Sequence, residues 1–232
     1  MENITLNQIA YGILESVRSH ISDDEDISID YIKNLIHSTR SRLLKQRFDK
    51  NLRVIEDVFT QSLGAVEIEA VDASAHSTIK AGRYMYRTIE EIPATISRHN
   101  SEGTFTRIGP ADQLGVSYNL VTYNRALFSG NGRYNKDVIF CFLKDNRIYI
   151  ISNSGAYHKG VQFISVTGVF DNPTQVARFT DVAGNSLYSD TGRYPVSRTM
   201  ADDIENLIIK EKFGIKLSAP GDKVNDGTNI LQ

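Results

Sequence analysis

The amino-acid sequence predicts an α+β protein: an N-terminal helical hairpin and a C-terminal helix pack together, with a β-rich insertion, an antiparallel sheet or barrel, between them. Two observations frame it. Apolar residues recur at three- and four-residue spacing at both ends of the chain, the period of a helix with one buried face. From about residue 65 to 180 the pattern shifts to period-two alternation, β-branched and aromatic residues, and turn pairs. The division that follows is a helical part over 1–64 plus 195–216, a β-rich part over 65–194, and an extended tail over 217–232.

Leu6, Ile9, Ala10, Ile13, Leu14 and Val17 define the first helix, over about residues 5–20. The acidic stretch "ISDDEDIS" interrupts it. Ser28 is the expected N-cap of a second helix, whose stripe is Ile29, Ile32, Leu35, Ile36, Leu43 and Leu44. Arg40, Arg42, Lys45, Arg47 and Lys50 fill its second half, where cations suit the helix dipole, and read as a surface facing solvent or a partner.

Past Gly64, "AVEIEAVD" alternates Val66 and Ile68 with Glu67 and Glu69, as a half-buried strand does. "TFTRIG", "LGVSYNLVTY", "DVIFCFL", "RIYIIS" and "VQFISVTGVF" are the other strand candidates, and "VIFCFL-KDN-RIYIIS" is the clearest hairpin. "DNPTQVARF" predicts a brief helix with Asn172 as cap and Pro173 at its first position. The last helix is expected over about Met200–Phe213, capped by Thr199 with Asp202 three residues on and ended by Gly214. The segment "KLSAPGDKVNDGTNILQ" has no periodicity and reads as a tail that cannot bury itself.

Composition narrows the function. A formal net charge of −2 gives no global basic field, which argues against a dedicated nucleic-acid-binding module. The single cysteine, Cys141, rules out an intrachain disulfide and a cysteine-based zinc cluster. The longest apolar run, Val138–Leu143, is far below the roughly 20 residues of a membrane helix, and no basic-then-apolar leader opens the chain, so a soluble, untargeted protein is expected.

No motif asks for catalysis. A calcium loop starting at Asp24 would have Asp26 and Ser28 in place, but Ile29 stands where the turn needs glycine and Leu35 where the bidentate glutamate belongs. "FSGNGRYN", residues 128–135, has neither the lysine and hydroxyl of a phosphate loop nor a following helix; Asn131-Gly132 instead suits a type I′ turn. No G-x-S-x-G elbow occurs, and Cys141 sits in an apolar strand run. His20, His37, His76, His99 and His158 lack metal-ligand spacing, and Asp202–Asp203 is explained by a helix start. No catalytic, cofactor-binding or metal-ligating residue is named.

Several fragments in order resemble the head–tail connector proteins, the adaptor or ring proteins of the neck, of tailed bacteriophages of the crAss-like, short-tailed type. They are the first helix with "ISDDEDIS" and the basic second helix, "QSLGAVEIEAVD", "EIPATI", "YNRALFSGNGRYN", "IYI", "GVFDNPT", "RYPVS" and "GDKVNDGTN". The resemblance implies a structural virion protein without catalytic residues. Such proteins form a ring, usually twelvefold, that joins the portal to the tail and extends the DNA channel. Its partners would be copies of itself, the portal, neighbouring neck or tail rings, and genome DNA passing without sequence-specific contact; no membrane is involved. The location implied is the virion neck or tail, after assembly in the host cytoplasm. Within this resemblance Phe128, Arg133 and Tyr134 are candidate subunit or partner contacts, as are Asp222, Asn225 and Asp226 in the tail. The alternative is a tail-associated carbohydrate-binding or hydrolase β domain with a helical anchor. Tyr118, Tyr123, Tyr134, Tyr149 and Tyr157 would then line a sugar site, although strands favour tyrosine in any case.

Overall fold

The computed structural model describes residues 4–18, 27–50, 55–71, 85–97, 103–113, 115–126, 138–151, 160–181 and 183–214. Helix α1 spans Leu6–Arg18 and buries the six apolar residues that its periodicity singles out. Its start is fixed by a reciprocal pair: the Gln8 amide donates to Thr5 Oγ1 at 3.2 Å, and the Thr5 amide donates to Gln8 Oε1 at 2.9 Å. Two otherwise orphaned donors are thereby satisfied. Helix α2, Ile29–Lys50, begins at Ser28, whose Oγ accepts from the Asp30 amide at 3.3 Å.

The other helices are α3, Tyr123–Ala126, and α4, Arg198–Lys212. The cap of α4 corrects the sequence reading. Ser197, in extended conformation, accepts from the Met200 amide at 3.3 Å, while Thr199 already lies in the first turn. Thr199 has an acid three residues on, so it mimics a capping box; Ser197 holds the backbone geometry that a cap needs. Gly214, at φ +64°, takes the left-handed position that ends a helix.

Seven strands form one sheet in the order β3-β7-β1-β2-β6-β5-β4: β1 Gln61–Ala70, β2 Met85–Thr88, β3 Phe105–Pro110, β4 Asn119–Leu120, β5 Phe140–Lys144, β6 Arg147–Ile151 and β7 Phe163–Gly168. Every pairing is antiparallel except β4 with β5. The two edges come together, because the Tyr118 amide, just before β4, donates to the Ile108 carbonyl of β3 at 2.7 Å. The sheet is therefore a near-closed barrel. Gly109 permits the closure, since a Cβ there would lie 2.3 Å from the Val116 carbonyl oxygen.

Three further differences from the sequence reading have local causes. "LGVSYNLVTY" yields only the two-residue β4, because it crosses from one sheet edge to the other and then turns into α3. The strand β2 is too short, at four residues, to show a period. β1 begins before Gly64 and runs through it, with a bulge between Ser62 and Ala65 and φ +67° at the glycine. The β5–β6 hairpin forms as expected: Asp145 and Asn146, at φ 51° and 55°, make the left-handed pair of a type I′ turn. Pro173–Arg178 is a 3-10 helix capped by Asn172, whose Oδ1 accepts from the Thr174 amide.

One apolar core runs from α1, α2 and α4 into the barrel through Ile36, Phe48, Phe59, Val66, Ile108, Ile148, Ile164 and Val166. A smaller cluster sits on the other face of β2, β6 and β5, where Met85, Phe142 and Tyr149 are covered by Ala126 of α3. Consecutive residues of β5 and β6 are buried, one on each face. That is why their sequences read as continuous apolar runs without alternation.

Candidate functional site

No group of three or more His, Cys, Asp or Glu side chains is placed to hold a metal ion among the described residues. Burial pushes the Cys141 thiol up to about 12, so it has no thiolate character near neutral pH. No helix among the described residues is long and apolar enough to cross a membrane. What the fold offers instead is surfaces, and a buried polar joint that holds them in place.

The joint centres on Arg40. The side chain is fully buried, its Nε donating to the Pro195 carbonyl at 3.1 Å and one terminal nitrogen to the Phe170 carbonyl at 2.9 Å. Its guanidinium also lies 5.8 Å from the centre of the Tyr194 ring. Burial lowers its pKa, opposed by Tyr194 and Asp171, yet a group this basic stays charged. One turn away, His37 Nδ1 lies 2.9 Å from the Tyr194 hydroxyl. Burial and the adjacent Arg40 lower the His37 pKa from 6.5 to about 4, so the ring is neutral at physiological pH. Burial keeps the Tyr194 phenol protonated, which makes it the donor to the ring. At the edge, Lys33 and Asp190 form an ion pair at 2.7 Å. Helix α2 is thus held on one flank by apolar contacts with α1 and α4, and on the other by polar bonds to the segments around 170 and 190–195.

This corrects the reading of the basic half of α2 as a surface facing solvent or a partner, in the case of Arg40. Arg40 falls on the apolar register Ile32, Ile36, Arg40, Leu44, Phe48, four residues apart, and is buried with it. The signal was present in the sequence as a cation in step with the stripe. Arg42 and Arg47 are exposed and paired, with Glu211 at 2.9 Å and with Glu56. The fragments "GVFDNPT" and "RYPVS", separate in sequence, meet at Arg40 through Phe170 and Pro195.

Two surface features complete the inventory. Between α1 and α4 runs a cleft of about 360 Å³, with Ile4, Ile9 and Ala201 on its floor and Gln8, Arg198, Asp202 and Glu205 on its rim. On the barrel, α3 is seated on β5, with the Tyr123 and Phe142 rings 5.4 Å apart and Lys144 4.9 Å from the Tyr123 ring. The stretch "FSGNGRYN" lies between Ala126 and Val138, outside the described residues. The candidate contacts Phe128, Arg133, Tyr134, Asp222, Asn225 and Asp226 all lie outside the described residues, as does the Asn131-Gly132 turn.

Among the described residues, Tyr118, Tyr123 and Tyr149 of the proposed sugar site do not gather at one surface. Tyr118 and Tyr149 are buried in two different clusters, and Tyr149 stacks on Phe142 at 5.2 Å. Tyr134 and Tyr157 lie outside the described residues.

Comparison with known proteins gives the context. The family described as "Phage tail ring protein 2" matches residues 8–229, nearly the whole chain. The chain belongs to this family. A curated member, "Ring protein 2" of Bacteroides phage crAss001, is 22% identical over 232 residues, covering 98% of each chain. Family membership agrees with the resemblance read from the ordered fragments, and it supports a structural role in a virion ring. The buried joint, the barrel closure and the caps of α2 and α4 all lie within the matched span.

Proposed function

We propose that this chain is a non-enzymatic structural subunit of a ring in the neck of a tailed phage, joining the portal to the tail and extending the DNA channel. The observation that carries this is a match to a tail ring family running from residue 8 to 229, across the helical, barrel and tail segments together. The helical part, 1–64 plus 195–216, packs from subunit to subunit around a ring that is twelvefold in the simplest case. The β-rich part, 65–194, meets neighbouring neck or tail proteins, and the tail, 217–232, docks on a partner and orders there. Phe128, Arg133 and Tyr134 act as contacts of the loop after α3; Asp222, Asn225 and Asp226 act as contacts of the tail. Assembly takes place in the host cytoplasm. With a net charge of −2, the subunit lets DNA slide through the lumen without holding it.

The test is electron microscopy of the virion, with the purified protein mixed with its portal. A ring at the neck traced to this chain is expected. A protein that stays monomeric, ignores the portal and is missing from the virion would overturn the reading. Within it, replacing Arg133 and Tyr134 by alanine impairs assembly while leaving the circular dichroism melt unchanged. Deleting residues 217–232 does the same.

A further inference from the structure

The barrel carries apolar side chains on its outside as well as its inside. Met85, Phe142 and Tyr149 stand on the outer face of β2, β5 and β6, at 6%, 0% and 1% exposure. The Phe142 and Tyr149 rings stack at 5.2 Å, with 7° between their planes. The outer face of an antiparallel barrel ordinarily meets water, so an apolar strip there needs a cover. Among the described residues the cover laid over it from outside these three strands includes Val121, Tyr123 and Ala126.

That cover is held in two unequal parts. Val121 is tied to the sheet, its amide donating to the Cys141 carbonyl of β5 at 2.8 Å. Helix α3 follows after one residue, with four residues and one helical bond, from the Ala126 amide to the Thr122 carbonyl at 2.9 Å. A helix this short has no stability of its own, because nucleating it costs more than one bond contributes. Side chains hold it down. The Tyr123 ring is tilted against Phe142 at 5.4 Å, Lys144 Nζ lies 4.9 Å from the centre of the Tyr123 ring, and Ala126 is 2% exposed. Thr122, Asn124 and Arg125 are exposed. Among the described residues no backbone bond joins α3 to the sheet, so it lifts without breaking a strand pair.

We propose that α3 is a flap, hinged after Val121, that opens while the barrel stays folded and uncovers Met85, Phe142 and Tyr149. The closed state seals the exterior; a minor open state presents an aromatic strip. Opening gives up the burial of that strip, so the closed state dominates. It leaves β4, β5 and the inner core in place, so the open state is reached far more often than the unfolded one. The flap belongs to the single chain and is tested apart from the ring reading.

The single native cysteine gives the experiment an internal reference. Cys141 is 0% exposed in the inner core and labels only when the barrel unfolds. Two variants each add one thiol, Ala126→Cys on the flap and Met85→Cys on the strip, the second leaving α3 itself unchanged. Each is treated with a thiol reagent under native conditions. Peptide mass spectrometry reads the two sites separately, corrected for their rates in the urea-unfolded chain. The added thiol is expected to label at least about a hundredfold faster than Cys141 in the same molecule. Adding Tyr123→Ala removes the ring contact with Phe142 and speeds the added thiol about tenfold again. Ile164→Val, in the inner core, speeds Cys141 by roughly three- to tenfold and leaves the added thiol as it was. Melting curves show which variants are folded, and either cysteine variant alone decides if the other is not. Added thiols that label at the rate of Cys141, or that speed up with it in Ile164→Val, would show that α3 moves only with the whole barrel and overturn the flap. Fast labelling of Ala126→Cys beside slow labelling of Met85→Cys also overturns it, since the strip then stays covered.

Discussion

The His37–Tyr194 bond makes stability depend on pH in a way that one substitution isolates. His37 is 9% exposed and neutral in the folded chain, with its pKa lowered to about 4. Burial is the first cause and the Arg40 charge the second; Asp190 acts in the opposite direction and Lys33 adds slightly to the lowering. In the unfolded chain the ring takes its proton near 6.5, its ordinary value. As pH falls between those two values, the unfolded state binds more protons than the folded one, so stability falls with pH. The slope is about 1.4 kcal/mol per pH unit, and the span from 6.5 to about 4 yields a loss of about 3 kcal/mol. Nothing is lost above 6.5, and below about 4 the term is spent. Protonation would also turn the ring nitrogen from acceptor to donor and leave the Tyr194 hydroxyl hydrogen without its partner. His37→Asn keeps an acceptor oxygen where Nδ1 stands but cannot titrate. Urea unfolding of both proteins, at neutral pH and at about 4, cancels the carboxylates common to both. The wild-type chain is expected to lose about 3 kcal/mol more than the variant. Parallel curves would refute the buried, neutral histidine.

Three more outcomes follow from the same packing. Arg40→Ala strips the Phe170 and Pro195 carbonyls of their donors and leaves a cavity, costing about 3–5 kcal/mol in urea unfolding; Arg40→Met removes the buried charge but keeps the volume, and costs less than half as much. Equal losses would show that the charge itself holds the joint. Gly109→Ala drives a Cβ into the Val116 carbonyl at the barrel closure and costs more than about 2 kcal/mol; the Tyr118 amide then exchanges its hydrogen faster than the amides of β6, and an unchanged Tyr118 rate would refute the closure. Cys141, with its thiol pushed up to about 12, labels with a thiol reagent only as fast as the native chain unfolds, and rapid labelling of the folded protein would overturn its placement in the core.

Where one physical rule governs an element, the sequence predicts it. α1 has a single apolar face and a capping pair, and its six buried residues are the six that the period selects. The Asp145-Asn146 turn and the Asn172 cap are likewise local chemistry. Legibility fails where distant segments decide. Arg40 is buried because carbonyls more than a hundred residues away accept its protons, and no window around residue 40 contains them. β4 is short because the chain has to cross from one barrel edge to the other, which depends on where β3 and β5 lie. The candidate site was legible only in part. The basic half of α2 stood out as a possible partner surface, whereas the α1–α4 cleft required knowing that Gly12 and Glu205 face each other.

The accounting of charge on α2 shows what that difference does to function. Read along the sequence, five cations, from Arg40 to Lys50, are spread around the helix as well as along it and suit a surface facing solvent or a partner better than one facing nucleic acid. In the fold Arg40 is buried, and Arg42 and Arg47 are held by Glu211 and Glu56, which leaves Lys45 and Lys50. Nucleic-acid affinity of the non-specific kind grows with the number of phosphates neutralised, so two lysines supply only a weak, salt-sensitive attraction. Folding therefore leaves α2 with little exposed, unpaired positive charge among the described residues.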